Sequence, residues 1–302
     1  MKSAIAILTY RRLPALRAML VGLDTHCRDY PIAIFEDCGQ RDGTSAFLSQ
    51  GSARKRRDDL MAYEHHWPKP LSKVTAFIGQ QNLGVAGNSN RAIRWFMDET
   101  DADHLLLCND DLYVLGDFAK FYAQAHQDLD IGFFAFTDFW NSPTHRWVIC
   151  RSRGYRIKVF QRMTGIMMST LRRVVNKVGY FDTRFGKFGE EHSDWTNRIR
   201  FAHEIQLDGQ DQPCLDVEPS DPDGSAGHPV LKHQDVETSV TGEERKREDA
   251  IAVERMKQAA ARYASESHYR PFTLTWPTHV GGIGSVGIQA AQIPKYKALT
   301  SS

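Results

Sequence analysis

The chain has 302 residues, 41% hydrophobic and 25% charged, an ordinary globular composition with room for one large domain or two small ones. A formal net charge of +1 leaves no global field to draw it to nucleic acid or a membrane surface, so only local patches can do that. Five widely spaced cysteines (Cys27, Cys38, Cys108, Cys150, Cys214) form no CxxC pair, which argues against a disulfide framework or a cysteine zinc site and favours a reducing compartment. The N-terminal stretch MKSAIAILTYRR has only a short apolar run and no cleavage-site pattern. No run approaches the roughly 18 apolar residues of a membrane span. We therefore expect a soluble, cytoplasmic protein without a transmembrane segment.

In chain order, Ala4 to Leu8 reads as a strand, and Pro14 opens a helix with Leu13, Leu16, Leu20 and Leu23 at helical spacing. Pro31 to Phe35 is a second strand, ending in EDCGQRDGT, and Lys73 to Gly79 a third. The following NLGVAGNSNRAIRWFMDE has an apolar stripe of Ala92, Ile93, Phe96 and Met97, with Asn88 or Asn90 as the expected N-cap. A fourth strand, HLLLC, precedes a short helix capped by Asp117. This alternation predicts an α/β fold with a mostly parallel sheet, whose ligands bind beyond the carboxyl ends of the strands. Further on, GFFAFTDFW, YRIKVFQR and TGIMMS read as strands. TLRRVVNKVG reads as a helix lined by Leu171, Val174, Val175 and Val178, with Gly179 at its C-cap. EEHSDWTNRIRFAHE reads as another, with Trp195, Ile199 and Ala202 on one side. Asp208 to Asp223 is rich in Asp, Pro and Gly and is expected to be loop. Glu243 to Tyr263 is a charged amphipathic helix with Ala252, Met256, Ala259, Ala260 and Tyr263 along one stripe, before a Gly-rich tail.

Several clusters carry chemistry. Asp37, at a strand end, can accept hydrogen bonds from a base or ribose, or simply shape an Asp-Gly turn. Gly84 and Gly87 in NLGVAGNSN permit close backbone approach before a helix N-terminus, where anions bind, although the Walker and GxGxxG spacings are both missing. Asn109, Asp110 and Asp111 put hard oxygen ligands at a strand end, which suits Mg²⁺ or Mn²⁺ completed by substrate phosphates. In GEEHSDWTNRIR, Glu191 and Asp194 share a helix face, and Asp194 lies four residues before Arg198, an arrangement able to supply a general base. Acids also favour a first helical turn without any such role. His228 or His233 can complete a metal site with one neutral imidazole, although a histidine in such a stretch is more often an ordinary loop residue. Arg146, Arg151, Arg153, Arg156, Lys158 and Arg162 alternate with aromatics, a pattern that grips phosphates or stacked bases when it is not simply a solvated strand face.

Taken in order, AIAILTYRR, EDCGQRDGT, NLGVAGNSNRAI, LLLCNDD, TGIMMSTLRRVVNKVGYFDTRFGKFGEEHSDWTNRIR and VLKHQDVETS resemble a family-2 glycosyltransferase of the GT-A fold, over residues 3 to 240. The resemblance implies a GT-A domain over residues 1–240, a Rossmann-like mixed sheet flanked by helices, with a C-terminal helical extension and irregular tail over 241–302. It implies a metal-dependent enzyme that moves a sugar from a nucleoside-diphosphate sugar, a UDP-sugar foremost, to an acceptor hydroxyl with inversion. It sets Thr9 and Asp37 beside the nucleotide base and Asn82 and Gly84 in the donor-side loop. Asp111, with Asp110 or Asn109, matches the Asp-x-Asp motif that holds Mn²⁺ or Mg²⁺ on the diphosphate. Glu191, Asp194 and Arg198 match the acceptor-side acidic motif, Arg198 also counting among residues that reach the donor. His233 matches the late histidine of the metal site, with His228 the alternative. Two departures stand out. Asn109 occupies the first acidic position of the metal motif. His192 stands where the acceptor-side motif has its second acid, which leaves Glu191 or Asp194 favoured as the base and His192 chemically capable of it.

Three rivals remain at this level. A nucleotidyltransferase of the same fold would carry a Gly-rich phosphate loop after the first strand, and TYRRLPAL has no glycine. A catalytically inactive relative would only bind a polymer or partner protein. The acceptor can be a glycan, a small molecule or, through the basic stretch, a polyanion such as a nucleic acid. The helix after Glu243 is open to covering the acceptor cleft, dimerising or lying on a membrane, and its Ala-rich stripe favours packing on its own domain.

Overall fold

The computed structural model describes residues 1–38, 42–50, 52–57, 60–65, 74–137, 144–150, 154–161, 163, 165–187, 189–234 and 242–265. The first half runs β1 (Ser3–Thr9), α1 (Leu13–His26), β2 (Ile32–Glu36), α2 (Thr44–Leu48), β3 (Ser52–Arg57), β4 (Leu60–His65), β5 (Val74–Gly79), α3 (Gly84–Glu99), β6 (His104–Asn109), β7 (Leu112–Val114) and α4 (Phe118–Leu129). The second half runs β8 (Phe133–Phe136), β9 (Thr144–Cys150), β10 (Tyr155–Phe160), β11 (Met167–Leu171), α5 (Arg172–Val178), a 3-10 turn (Thr183–Phe185), α6 (Glu191–Phe201), β12 (Gln206–Leu207), β13 (Gln210–Asp211), β14 (Cys214–Pro219), β15 (Leu231–His233) and α7 (Gly242–Ser265).

An eight-stranded sheet has the order β3-β4-β5-β2-β1-β6-β11-β8. Its centre, β5-β2-β1-β6, is parallel, and β4 and β11 flank that centre antiparallel. The four central strands are the four apolar runs of the first half. β1, β2 and the first five residues of β6 are buried throughout, the continuous apolar pattern of strands covered on both faces. Helix α3 packs on β1, β2 and β6, and α4 packs on β1. The register pairs Thr9 with Glu36 and Leu8 with Asn109, so the polar ends of β1, β2 and β6 share one edge. Strand β2 lies on one side of β1 and β6 on the other. This is a topological switch point, where open α/β sheets bind ligands. Strands β14, β10 and β9 form a second, antiparallel sheet.

Three local expectations are corrected. The stretch from Asp208 to Asp223 contains β13 and β14, and Cys214, Leu215, Asp216 and Val217 of β14 are all buried. Composition misleads because Asp216 is satisfied internally by Tyr122 Oη (2.8 Å) and by the Thr137 and Val217 amides (3.0 and 2.8 Å). Asn88 and Asn90 do not cap α3, which starts at Gly84; both are buried inside the helix. Leu171 ends β11 instead of lining α5, and Gly179 closes α5 with φ +72° and an amide bonded to Val175 O. Asp117 caps α4 as expected, its carboxylate accepting from the Lys120 amide at 2.9 Å. The Gly-rich tail from residue 266 onward lies outside the described residues. Among the described residues no helix is long and apolar enough to cross a membrane.

Candidate functional site

The end of β6 delivers Asn109, Asp110 and Asp111 to the switch point. Asp110 is fully buried; Thr9 Oγ1 donates to its Oδ2 at 2.6 Å, and Arg12 Nη2 lies 2.9 Å from its Oδ1. Burial pushes the Asp110 carboxyl up to about 7, against the pull of Arg12 and Thr9. Arg12 also donates through Nη1 to Asp111 Oδ2 at 2.5 Å, so one guanidinium spans both acids. Burial pushes Asp111 up, but the His233 contact and Arg12 together outweigh it and hold the carboxyl below its ordinary range.

His233 arrives through strand pairing. β15 runs antiparallel to β7 with His233 opposite Leu112, and His233 Nε2 lies 3.6 Å from Asp111 Oδ2. The Gln234 amide bonds Asp111 O at 2.7 Å, and its Nε2 donates to Leu112 O at 2.9 Å, which pins the pairing. Gly22 of α1 lets β7 approach, since a Cβ there would meet Val114 O at 2.6 Å. His228 is exposed on the loop before β15, and no hydrogen bond or ion pair joins it to this cluster among the described residues. Asp111 Oδ1 is buried with no hydrogen-bond partner there.

Asp37 lies at the end of β2. Its Oδ1 accepts from the Leu83 amide (2.9 Å) and from Arg91 (2.9 Å), and its Oδ2 from the Gly84 amide (2.8 Å). It therefore caps α3 from outside the helix, in place of the local asparagines. Burial raises its carboxyl, opposed by Arg91 and the two amides. Asn82 Oδ1 also accepts from the Gly84 amide at 2.9 Å. Gly84 has φ +75°, and a Cβ there would meet the Lys187 backbone at 2.2 Å. The Asn82–Gly84 loop is thus pressed against the loop that leads into α6.

Helix α6 opens with the second acidic cluster. Glu191, His192 and Asp194 are buried. Asp194 accepts from Arg198 Nε at 2.9 Å, and Arg198 spends its other nitrogens on Val178 O and Tyr180 O, both at 2.7 Å. Arg198 thereby ties α6 to the VGYFD segment. Asn90 bonds both the amide and the carbonyl of Phe181 (2.8 and 2.9 Å), whose ring stacks on Trp195. His192 Nδ1 lies 2.8 Å from Glu191 Oε1, while His192 Nε2 and Glu191 Oε2 are buried without hydrogen-bond partners among the described residues. The imidazole sits directly over Gly165, where a Cβ would be 2.5–2.7 Å from the ring. The neighbouring Ile166 O accepts from the Asn109 amide at 2.8 Å, so the two acidic clusters lie along one edge. Ala252 of α7 is buried over Gly189, at the start of α6.

Sequence reasoning missed Arg12, Arg91 and Gln234. Arg12 had a signal: a cation just after the first strand lies on the edge where the acids end. Arg91 and Gln234 had none, because their partners are 54 and 122 residues away. Of the basic stretch, Arg156 and Lys158 are half-buried on β10, and Arg151, Arg153 and Arg162 lie outside the described residues.

Asp111 and His233 supply one oxygen and one nitrogen, and the unpartnered Asp111 Oδ1 offers a second oxygen. Among the described residues no three His, Cys, Asp or Glu side chains converge as a metal cage. Two protein ligands suit a divalent ion that takes its remaining ligands from phosphates and water. The residues present therefore fit such an ion.

No protein-family model matches the sequence, and no curated protein matches it. Solved structures do. A fragment of S. aureus TarS (1–349) in complex with UDP-GlcNAc superposes with a TM-score of 0.54 at 11% identity, over 89% of this chain and 68% of that one. The chain has the GT-A fold. A longer S. aureus TarS structure matches with a TM-score of 0.51 at 11% identity, over 89% of this chain but only 40% of its own length. Against a further TarS 1–349 structure the chain spans 56% of the neighbour's length.

Proposed function

We propose that this chain is a metal-dependent, inverting glycosyltransferase of the family-2 type, moving a sugar from a UDP-sugar to an acceptor hydroxyl. The observation that carries the reading is the buried acid pair Asp110–Asp111, joined by His233 at the switch point of a GT-A sheet. Asp111 and His233 would hold Mn²⁺ or Mg²⁺, which when bound neutralises negative charge on a diphosphate. Thr9 and Arg12 keep Asp110 in place, and Asp110 in turn orients Arg12 across the pair. The backbone of the Asn82–Gly84 loop, held by Asp37, shapes the donor side. Thr9 and Asp37 act here through the elements they fix, and the nucleotide base lies over the β1–β2 edge they define. Arg198 holds the start of α6 against Val178 and Tyr180, and that helix faces the acceptor. A carbohydrate or small-molecule hydroxyl is the acceptor class this reading favours.

The test is a thermal-shift titration with UDP and UDP-GlcNAc, in Mn²⁺ and in EDTA, on wild type and Asp111→Asn. A ligand at 100 times its dissociation constant adds about 2.7 kcal/mol. We expect stabilisation that needs Mn²⁺ and is lost in the variant. No stabilisation of the wild type by any nucleoside diphosphate would sink the reading and favour an inactive GT-A binding protein.

A further inference from the structure

We propose that His192 is the general base of the transfer, with Glu191 as its orienting partner; the inference rests on the glycosyltransferase reading above. Three groups at the start of α6 are chemically able to take a proton, and their surroundings separate them. Asp194 is occupied by Arg198, itself buried, and that guanidinium is fixed by two backbone carbonyls. A carboxylate held in a buried ion pair is a poor proton acceptor, because taking the proton would strand the guanidinium. Glu191 Oε1 lies 2.8 Å from His192 Nδ1. A carboxylate only accepts, so this contact sets the hydrogen on Nδ1 and leaves the lone pair of the neutral ring on Nε2. His192 Nε2 is buried and has no hydrogen-bond partner among the described residues. Neighbours pack against the ring and its backbone. Gly165, with φ +72°, lies against its face, Phe181 meets it edge-on at 5.6 Å between ring centres, and Thr196 Oγ1 bonds the His192 carbonyl at 2.8 Å. Among the described residues, Glu191 is the charged group in contact with the ring.

A nucleophile-activating base needs a lone pair of fixed direction and a third group that stabilises the cation formed. Nε2 and Glu191 meet both conditions. In the step, the acceptor oxygen bonds to the anomeric carbon from the face opposite the diphosphate. The carbon–oxygen bond to the diphosphate breaks and its electron pair leaves with the nucleotide. The hydroxyl proton passes to Nε2, and the imidazolium beside Glu191 later returns it to water. Gly165 is followed directly by Ile166, which is bonded to Asn109, so the base lies on the same edge as the Asp110–Asp111 pair.

The experiment compares wild type, His192→Gln, His192→Asp and Glu191→Gln. Binding of UDP-GlcNAc with Mn²⁺ is followed by calorimetry, and UDP release into water, the smallest acceptor, across about pH 5 to 8. His192→Gln should bind the donor within about twofold of wild type while UDP release falls about 10²-fold or more. His192→Asp should recover release and move the acidic limb of the pH–rate profile down by one to two pH units, since an imidazole and an aspartate ordinarily titrate about 2.5 units apart. Glu191→Gln should lower release without weakening donor binding. The proposal is overturned if His192→Gln releases UDP at the wild-type rate, if it loses donor binding along with release, or if the limb stays put in His192→Asp. If His192→Gln does not fold, the other two variants decide by the same readings. A wild type that binds the donor and releases no UDP also counts against the base. A wild type that binds neither UDP nor UDP-GlcNAc instead removes the glycosyltransferase reading itself.

Discussion

Arg12 is the side chain on which the acidic edge most depends. Its guanidinium reaches Asp110, which is fully buried, and Asp111, which is nearly so. Arg12→Ala would leave two buried carboxylates beside each other without that cation. Breaking a buried pair by removing one partner costs about 3–5 kcal/mol. For a domain of this size, each 1 kcal/mol shifts Tm by about 2–4 °C, so a drop of roughly 6–20 °C is expected. The loss should shrink on acidification, because a carboxyl that has taken up a proton needs no counter-cation. On the proposed metal site, adding Mn²⁺ should recover part of it, since that ion would stand in for the lost guanidinium at Asp111. The control is Arg94→Ala, which removes an i,i+4 pair with Asp98 on a partly exposed helix face and should cost no more than about 0.5 kcal/mol. Thermal unfolding in EDTA and in Mn²⁺ makes the comparison. An Arg12→Ala protein that melts within about 2 °C of Arg94→Ala in EDTA would refute the argument that Arg12 compensates the pair.

Acid should destabilise the fold through a buried relay at the opposite end of β1 and β6 from the acids. His126 Nδ1 donates to Ile131 O and its Nε2 accepts from Ser169, which accepts from His104 Nε2, whose Nδ1 accepts from Ser3. Burial lowers His126 to about 4 and His104 well below its ordinary value. Folded pKa values below the unfolded one mean that the unfolded chain binds more protons, so stability falls as pH drops from about 6.5 towards 4. His126 alone accounts for about 3 kcal/mol of this loss, readable by urea titration at stepped pH, and His126→Asn should flatten the slope. Gly84→Ala combines a positive φ with a Cβ 2.2 Å from the Lys187 backbone, so a loss above about 2 kcal/mol is expected; a neutral result would show that the two loops do not pack as described. Asp37→Ala removes a cap of α3 and the carboxylate paired with buried Arg91 and should cost about 3–5 kcal/mol in chemical denaturation; a change below about 1 kcal/mol would show that this pair does not hold the loop.

The central strands and most of the helices were legible because their signals are local. A continuous apolar run of five residues between turn residues, too short for a helix, reads as a strand covered on both sides, and Pro14, Asp117 and Gly179 act on their own neighbours. The amino-acid sequence by itself thus determined the α/β alternation, the edge where polar residues collect, and the identity of Asp110, Asp111, Glu191, His192 and His233 as candidates. Tertiary structure alone decided what those candidates touch. Asp37 became a helix cap because Leu83 and Gly84, 46 and 47 residues later, present amides to it. β14 became a core strand because Tyr122 and Thr137 satisfy Asp216 from other elements. Arg12 joined the acidic edge, Asp194 was taken by Arg198, and the imidazole of His192 was fixed between Glu191 and Gly165. Hydrogen bonds and ion pairs between residues far apart in the chain leave no periodicity to read, since their geometry exists only once the strands have paired and the burial that makes them strong is complete.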